Sequence, residues 1–115
     1  MNLHRAVMAA ALLAAPPLAL SNDFPTVARA EYVINCMQES KATRQEMLYK
    51  CSCTIDQIAK QVKYNKWVDL STIALGTSIA GERGGVIRDI KDGRQQIASY
   101  RELQAKAKKA CFIDE

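Results

Sequence analysis

Four side chains in this chain could carry covalent or metal chemistry: Cys36, Cys51, Cys53 and Cys111. Cys51 and Cys53 stand one residue apart in LYKCSCTID, and such a pair admits three chemistries. Two thiolates could clamp a soft metal such as Cu(I), with Met37 or Met47 as a thioether ligand. They could exchange with another disulfide as a redox pair. Or each could anchor a separate disulfide to a distant part of the chain. Structural zinc is normally held by two closely spaced pairs, and there is one here. Covalent haem needs Cys-x-x-Cys-His, which is absent, and a thiol–disulfide catalyst is expected to carry Cys-x-x-Cys on a βαβ scaffold.

The choice among these depends on the elements that position the thiols. Apolar residues recur at three- and four-residue spacing in four segments, and no strand alternation is evident. The first helix is expected from about Thr26 to Ser40, opened by Pro25, with Val27, Ala30, Val33, Ile34 and Met37 on its apolar side and Cys36 as a further candidate. A short link, KATRQ, leads to a second helix from about Glu46 to Lys63, whose stripe is Leu48, Cys51, Ile55, Ile58, Ala59 and Val62. A third helix is expected from Lys66 to Ala80, stopped by Gly81 and the pair Gly84 and Gly85. VIRDIKDG reads equally as a helical turn or an extended connector. A fourth helix, about Arg94 to Phe112, places Ile97, Tyr100, Leu103, Ala107 and Ala110 on one side. The expected fold is all-α, a small four-segment helical domain stapled by two disulfides.

Residues two apart on a helix diverge by about 200°. Cys51 and Cys53 therefore face different neighbours, and each is expected to bond a distant cysteine, Cys36 on the first helix or Cys111 on the last. The favoured pairing joins Cys36 to Cys53 and Cys51 to Cys111, on the reasoning that the better-buried Cys51 should carry the long bond across the core. The opposite pairing stays open.

The chain begins MNLHRAVMAAALLAAPPLALSNDF, with His4 and Arg5 ahead of an apolar run from Ala6 to Ala15 that is too short for a permanent membrane helix. This is the layout of a signal peptide, residues 1–21, cut after Ser21 or alternatively after Ala19. A single domain of 94 residues, 22–115, follows. Even-numbered cysteines in an exported chain read first as disulfides, and a domain of this size has a thin core that benefits from them. The domain carries 15 basic and 12 acidic residues. Its basic residues are dispersed, and the one cluster, Lys106, Lys108 and Lys109, suits the last turn of a helix, so nucleic acid is not an expected partner.

Two further motifs bear on contact rather than catalysis. AGERGG, residues 80–85, offers Arg83 and backbone amides but lacks the length and lysine of a phosphate loop, so a helix stop explains it better. Arg83 and Arg88 remain candidate partner contacts. In YNKWVDL, Tyr64 and Trp67 sit among Lys63, Lys66 and Asp69, a pattern of protein interfaces, although a single tryptophan in a small domain more often serves the core. Glu31, Glu39, Glu46 and Asp56 form no paired acid–base set. The only histidine lies in the leader, and no nucleophile motif is present, so a non-enzymatic role without cofactor or metal is expected.

YVINCM, LYKCSCTIDQIA and GERGG together resemble a group of small exported bacterial proteins that share a lone cysteine followed by a Tyr-x-Cys-x-Cys helix. The similarity runs from Glu31 to about Asp89 and matches Cys36, Cys51 and Cys53 to the group pattern. It departs in KATRQ, where a glycine is expected. The resemblance implies company with periplasmic alcohol-oxidation systems built on quinoprotein dehydrogenases and c-type cytochromes, and it transfers no functional residue. The expectation is an accessory protein of the periplasm that binds another protein, an oxidoreductase among the candidates. The alternative is a copper chaperone or thiol redox protein acting through Cys51 and Cys53. Intact mass of the exported protein separates the two. Two disulfides predict a mass four hydrogens below the reduced value, with no alkylation after denaturation and no metal; free thiols or bound copper would make CSC the active centre.

Overall fold

The computed structural model describes residues 22–76, 85–86 and 89–114. Four helices are found among them: α1, Thr26–Glu39; α2, Arg44–Gln61; α3, Tyr64–Gly76; and α4, Gly93–Ala110. The fold is all-α, as the periodicity predicts, with starts for α2 and α3 two residues earlier than expected. The proposed leader, the expected last turn of the third helix, Gly81 and Gly84 lie outside the described residues, while Gly85, expected in the stop, is helical. VIRDIKDG proves to be partly turn. Asp89 N–H donates to Gly85 O at 3.0 Å, and Gly93 N–H donates to Ile90 O at 2.9 Å around Asp92, whose φ of 60° is left-handed. Aspartate tolerates that region better than most residues, and the turn launches α4.

α1 packs on α2, α2 on α4, and α4 on α3. The core they share is small: Phe24, Ile55, Ile58, Leu103 and Ala107, with Tyr32, Val33, Val62, Tyr64 and Trp67 packed against it. Ile55 and Ile58 are almost completely buried, each contributing about 1.5–3 kcal/mol. Thr54 is fully buried beside them because its hydroxyl donates to Lys50 O at 2.8 Å, which leaves an apolar methyl to face the core. None of the described helices is long and apolar enough to cross a membrane.

The segment ahead of α1 is bound into the domain. Phe24 is buried and meets Tyr64 edge-on at 5.3 Å between ring centroids. Asp23 Oδ2 accepts the Tyr64 N–H at 3.1 Å, supplying an acceptor from 41 residues away to an amide at the start of α3 that has no partner within its own helix.

All four cysteines are paired, Cys36 with Cys51 and Cys53 with Cys111. Each thiol of the CSC motif anchors its own bond, as its divergence requires, but the partners are the reverse of the favoured pairing. The reason is the side of α2 that each neighbour occupies. Asp56, about 140° round the helix from Cys51, holds Arg29 of α1 in an ion pair, so α1 covers the arc between them. Cys53, about 160° round in the other sense, faces the flank where α4 ends. Cys51 is completely buried because α1 covers it, and its burial does not require a bond to the farther helix.

The same bond corrects the expected face of α1. Ala28, Tyr32 and Cys36 step by four residues along the packed side of α1, and the opposite side, with Val27 and Ile34, is exposed. On α2 the inner position is Met47 rather than Leu48.

The two bonds close loops of 15 and 58 residues. Loop-closure entropy assigns them about 3 and about 4 kcal/mol. Replacing Cys53 and Cys111 together by alanine should therefore lower stability by about 1 kcal/mol more than replacing Cys36 and Cys51, read from urea midpoints. Pairing is checked by digestion without reduction. Trypsin leaves both middle cysteines in the peptide from Cys51 to Lys60, so fragmentation across Ser52 must assign each partner.

Candidate functional site

The arrangement α1–α2–α4–α3 leaves a groove of about 940 Å³ whose walls are α1 and α3 and whose floor is α4. Each wall follows from a local pattern. On α3, Tyr64, Trp67, Ser71 and Leu75 recur at three- and four-residue spacing and form one side. On α4, Tyr100, Gln104 and Lys108 step by four along the floor. On α1, Tyr32 lies between Ala28 and Cys36 on the disulfide-fixed face, and Glu31, Asn35 and Glu39 form the rim.

Aromatic rings join the walls. Trp67 stacks on Tyr64 at 6.2 Å, meets Tyr32 at 6.3 Å and meets Phe24 at 5.5 Å. Tyr64 and Trp67, expected either as interface anchors or as core, do both: one side of each packs on the core and another lines the groove. Arg83 and Arg88 lie outside the described residues.

Beside the charged Glu31, Glu39, Arg101 and Lys108, the groove holds neutral phenol and amide groups. Tyr32 O–H donates to Gln104 Oε1 at 2.7 Å. Burial raises the Tyr32 phenol well above its usual value, with the negative charges of an ionised Tyr100 and of Glu39 adding to the effect. Burial also raises Tyr100, Gln104 offsets part of the rise, and Glu39 adds to it. The Gln104 amide thus serves both phenols, accepting from Tyr32 through Oε1 and holding Tyr100 by a second hydrogen bond, while Trp67 Nε1 is buried without a protein acceptor.

Residue patterns did hold a signal for part of this site. Tyr32 and Ala28 stand on the four-residue line that ends at Cys36, and that line predicts the inner face of α1 once Cys36 is known to be bonded. Gln104 is one of three glutamines on α4, and no spacing singles it out.

A second hollow, of about 720 Å³, lies beside the Arg29–Asp56 pair and is lined by Asp23, Lys60 and Lys63. Both carboxylates there already hold partners, Tyr64 N–H and Arg29 respectively. Among the described residues, no three histidine, cysteine, aspartate or glutamate side chains converge as metal ligands. The groove brings together the rings of Tyr32, Tyr64 and Trp67, two phenols and the Gln104 amide. Comparisons with protein-family models, with curated proteins and with solved structures return no match.

The two phenols set an alkaline limit on stability. A phenol whose folded-state value is raised keeps its proton after the unfolded chain has lost it, so stability is intact below about pH 10 and falls above it. Absorbance titration should show Tyr32 and Tyr100 ionising late, and denaturant midpoints should drop above pH 10. Tyr32→Phe should make that drop shallower.

Proposed function

We propose that this chain is an exported, non-enzymatic helical protein of the periplasm that docks on another protein as an accessory, an oxidoreductase being the class that the sequence resemblance favours. The observation that carries the reading is the groove between α1 and α3, in which the rings of Tyr32, Tyr64 and Trp67 meet. Aromatic residues with a polar tip dominate the energetics of protein contacts. The disulfides support export, because such bonds persist in oxidising compartments. They also weigh against the copper or redox alternative, since Cys51 and Cys53 must first be reduced to act, and Cys51 is completely buried.

A photo-crosslinking side chain placed in the living periplasm tests the reading. At Asn35 or Ala105, both exposed on the groove, irradiation should yield a covalent adduct with one defined protein. At Tyr49, exposed and outside the groove lining, it should not. Equal adducts from all three positions, or a mixed disulfide through Cys51 or Cys53 in their place, would sink the docking reading and favour thiol exchange.

A further inference from the structure

The two disulfides are alike in layout and unlike in support. Each ties the C-terminal end of a helix to the middle of α2: Cys36 stands in the last turns of α1, and Cys111 directly follows α4. In each bond one residue is buried, Cys51 or Cys111, and the other is half-buried, Cys36 or Cys53. What differs is the helix beside the bond. One turn before Cys111, Ala107 is buried, and Leu103 is buried a turn before that, so core packing holds the end of α4 whether or not the bond exists. On α1 the buried residue is Ala28, two turns before Cys36. The start of α1 is pinned by Phe24 in the core and by Arg29 on Asp56, whereas beyond Ala28 the core contacts come from the half-buried Tyr32 and Val33. The second half of α1 therefore depends on its bond to Cys51.

A segment with few buried contacts opens locally at a lower free energy than the core. We propose that Cys36–Cys51 is a redox-sensitive latch: a dithiol reductant opens this bond ahead of Cys53–Cys111 and frees the C-terminal half of α1, while the rest of the domain stays folded. Cys36 lines the groove and admits the attacking thiolate, whereas Cys51 is completely buried. A thiolate of the reductant bonds to Cys36 Sγ, and the Cys36–Cys51 bond breaks with its electron pair on Cys51 Sγ, which takes a proton from water. The second thiol of the reductant then displaces Cys36, leaving two protein thiols and a reductant oxidised to its disulfide. Attack at Cys53 has a different outcome, because Ala107 and Leu103 keep the released Cys111 beside its partner, where it closes the bond again. Once the latch opens, Tyr32 and the α1 wall of the groove are no longer held at a fixed distance from Trp67. The inference goes beyond the docking reading and does not depend on what fills the groove. It differs from thiol chemistry at CSC because the attacked sulfur lies outside that pair and Cys53 stays bonded.

Dithiothreitol is the probe, applied to the oxidised protein without denaturant and quenched with iodoacetamide. After trypsin, Cys36 lies in the peptide Ala30–Lys41 and Cys111 in Ala110–Glu115, so each bond is followed separately. Cys36 should be alkylated about tenfold faster than Cys111, giving a species with two adducts, on Cys36 and Cys51. In that species, hydrogen exchange should quicken about tenfold at amides 35–39 and stay unchanged at 54–58 and 103–107. The double variant Cys36→Ser with Cys51→Ser should show the same fast exchange without reductant, and Cys53→Ser with Cys111→Ser should leave amides 35–39 protected. Equal alkylation rates, earlier loss of Cys53–Cys111, or unchanged exchange at 35–39 after Cys36 and Cys51 are alkylated would overturn the proposal. So would loss of the whole domain's circular dichroism with the first bond, by reduction or by the serine pair, since the latch requires α2, α3 and α4 to remain folded.

Discussion

Everything in this domain depends on the angular divergence of Cys51 and Cys53. Two residues apart on α2, they turn to opposite flanks, and each flank is bonded to a different helix, α1 through Cys36 and α4 through Cys111. One helix therefore fixes the placement of two others. Between the bonds, Ile55 and Ile58 are enclosed from both sides and form the centre of a core with few other large members. A core of that size gives little margin against chain entropy, and the bonds reduce what must be overcome by restricting the unfolded chain.

The same constraint shapes the groove. Because α1 and α4 are tied to α2, and α3 packs on α4, the relation between α1 and α3 is left to rings rather than to a continuous apolar seam. Phe24 and Asp23 reinforce that side, one filling the space under Tyr64 and Trp67, the other satisfying the first amide of α3. A fully closed bundle would bury more apolar surface and satisfy more polar atoms. This one leaves Trp67 Nε1 without a protein acceptor.

Helix content and the anchoring role of the cysteine pair were legible because both follow from a fixed period: 3.6 residues per turn orders the apolar stripes and separates Cys51 from Cys53. Which flank faces which helix is a matter of packing hand, and no single helix contains that information. The Cys36–Cys51 bond shows the difference, since ranking the thiols by expected burial pointed to the wrong partner. The face of α1 was ambiguous for a related reason. Val27 and Ile34 are as apolar as the residues that became buried, and the choice was made by Cys36 and by Tyr32 reaching Gln104 across 72 residues of chain. Thr54 escaped notice because its polarity is cancelled locally by a hydrogen bond to Lys50 O. Tyr64 and Trp67 were visible as aromatics among charges, whereas Gln104 acquires meaning only from the phenol opposite it.

The make-up of the groove bears on the kind of selectivity it can have. Recognition by opposite charge weakens with salt over a Debye length of about 8 Å and changes as carboxylates or histidines titrate. The described lining of this groove holds no histidine; beside Glu31, Glu39, Arg101 and Lys108 it carries a glutamine amide and two phenols whose burial keeps them protonated. Both phenols therefore stay neutral as pH varies around neutrality, and the shape of this part of the groove is set by three packed rings rather than by titration of its phenols.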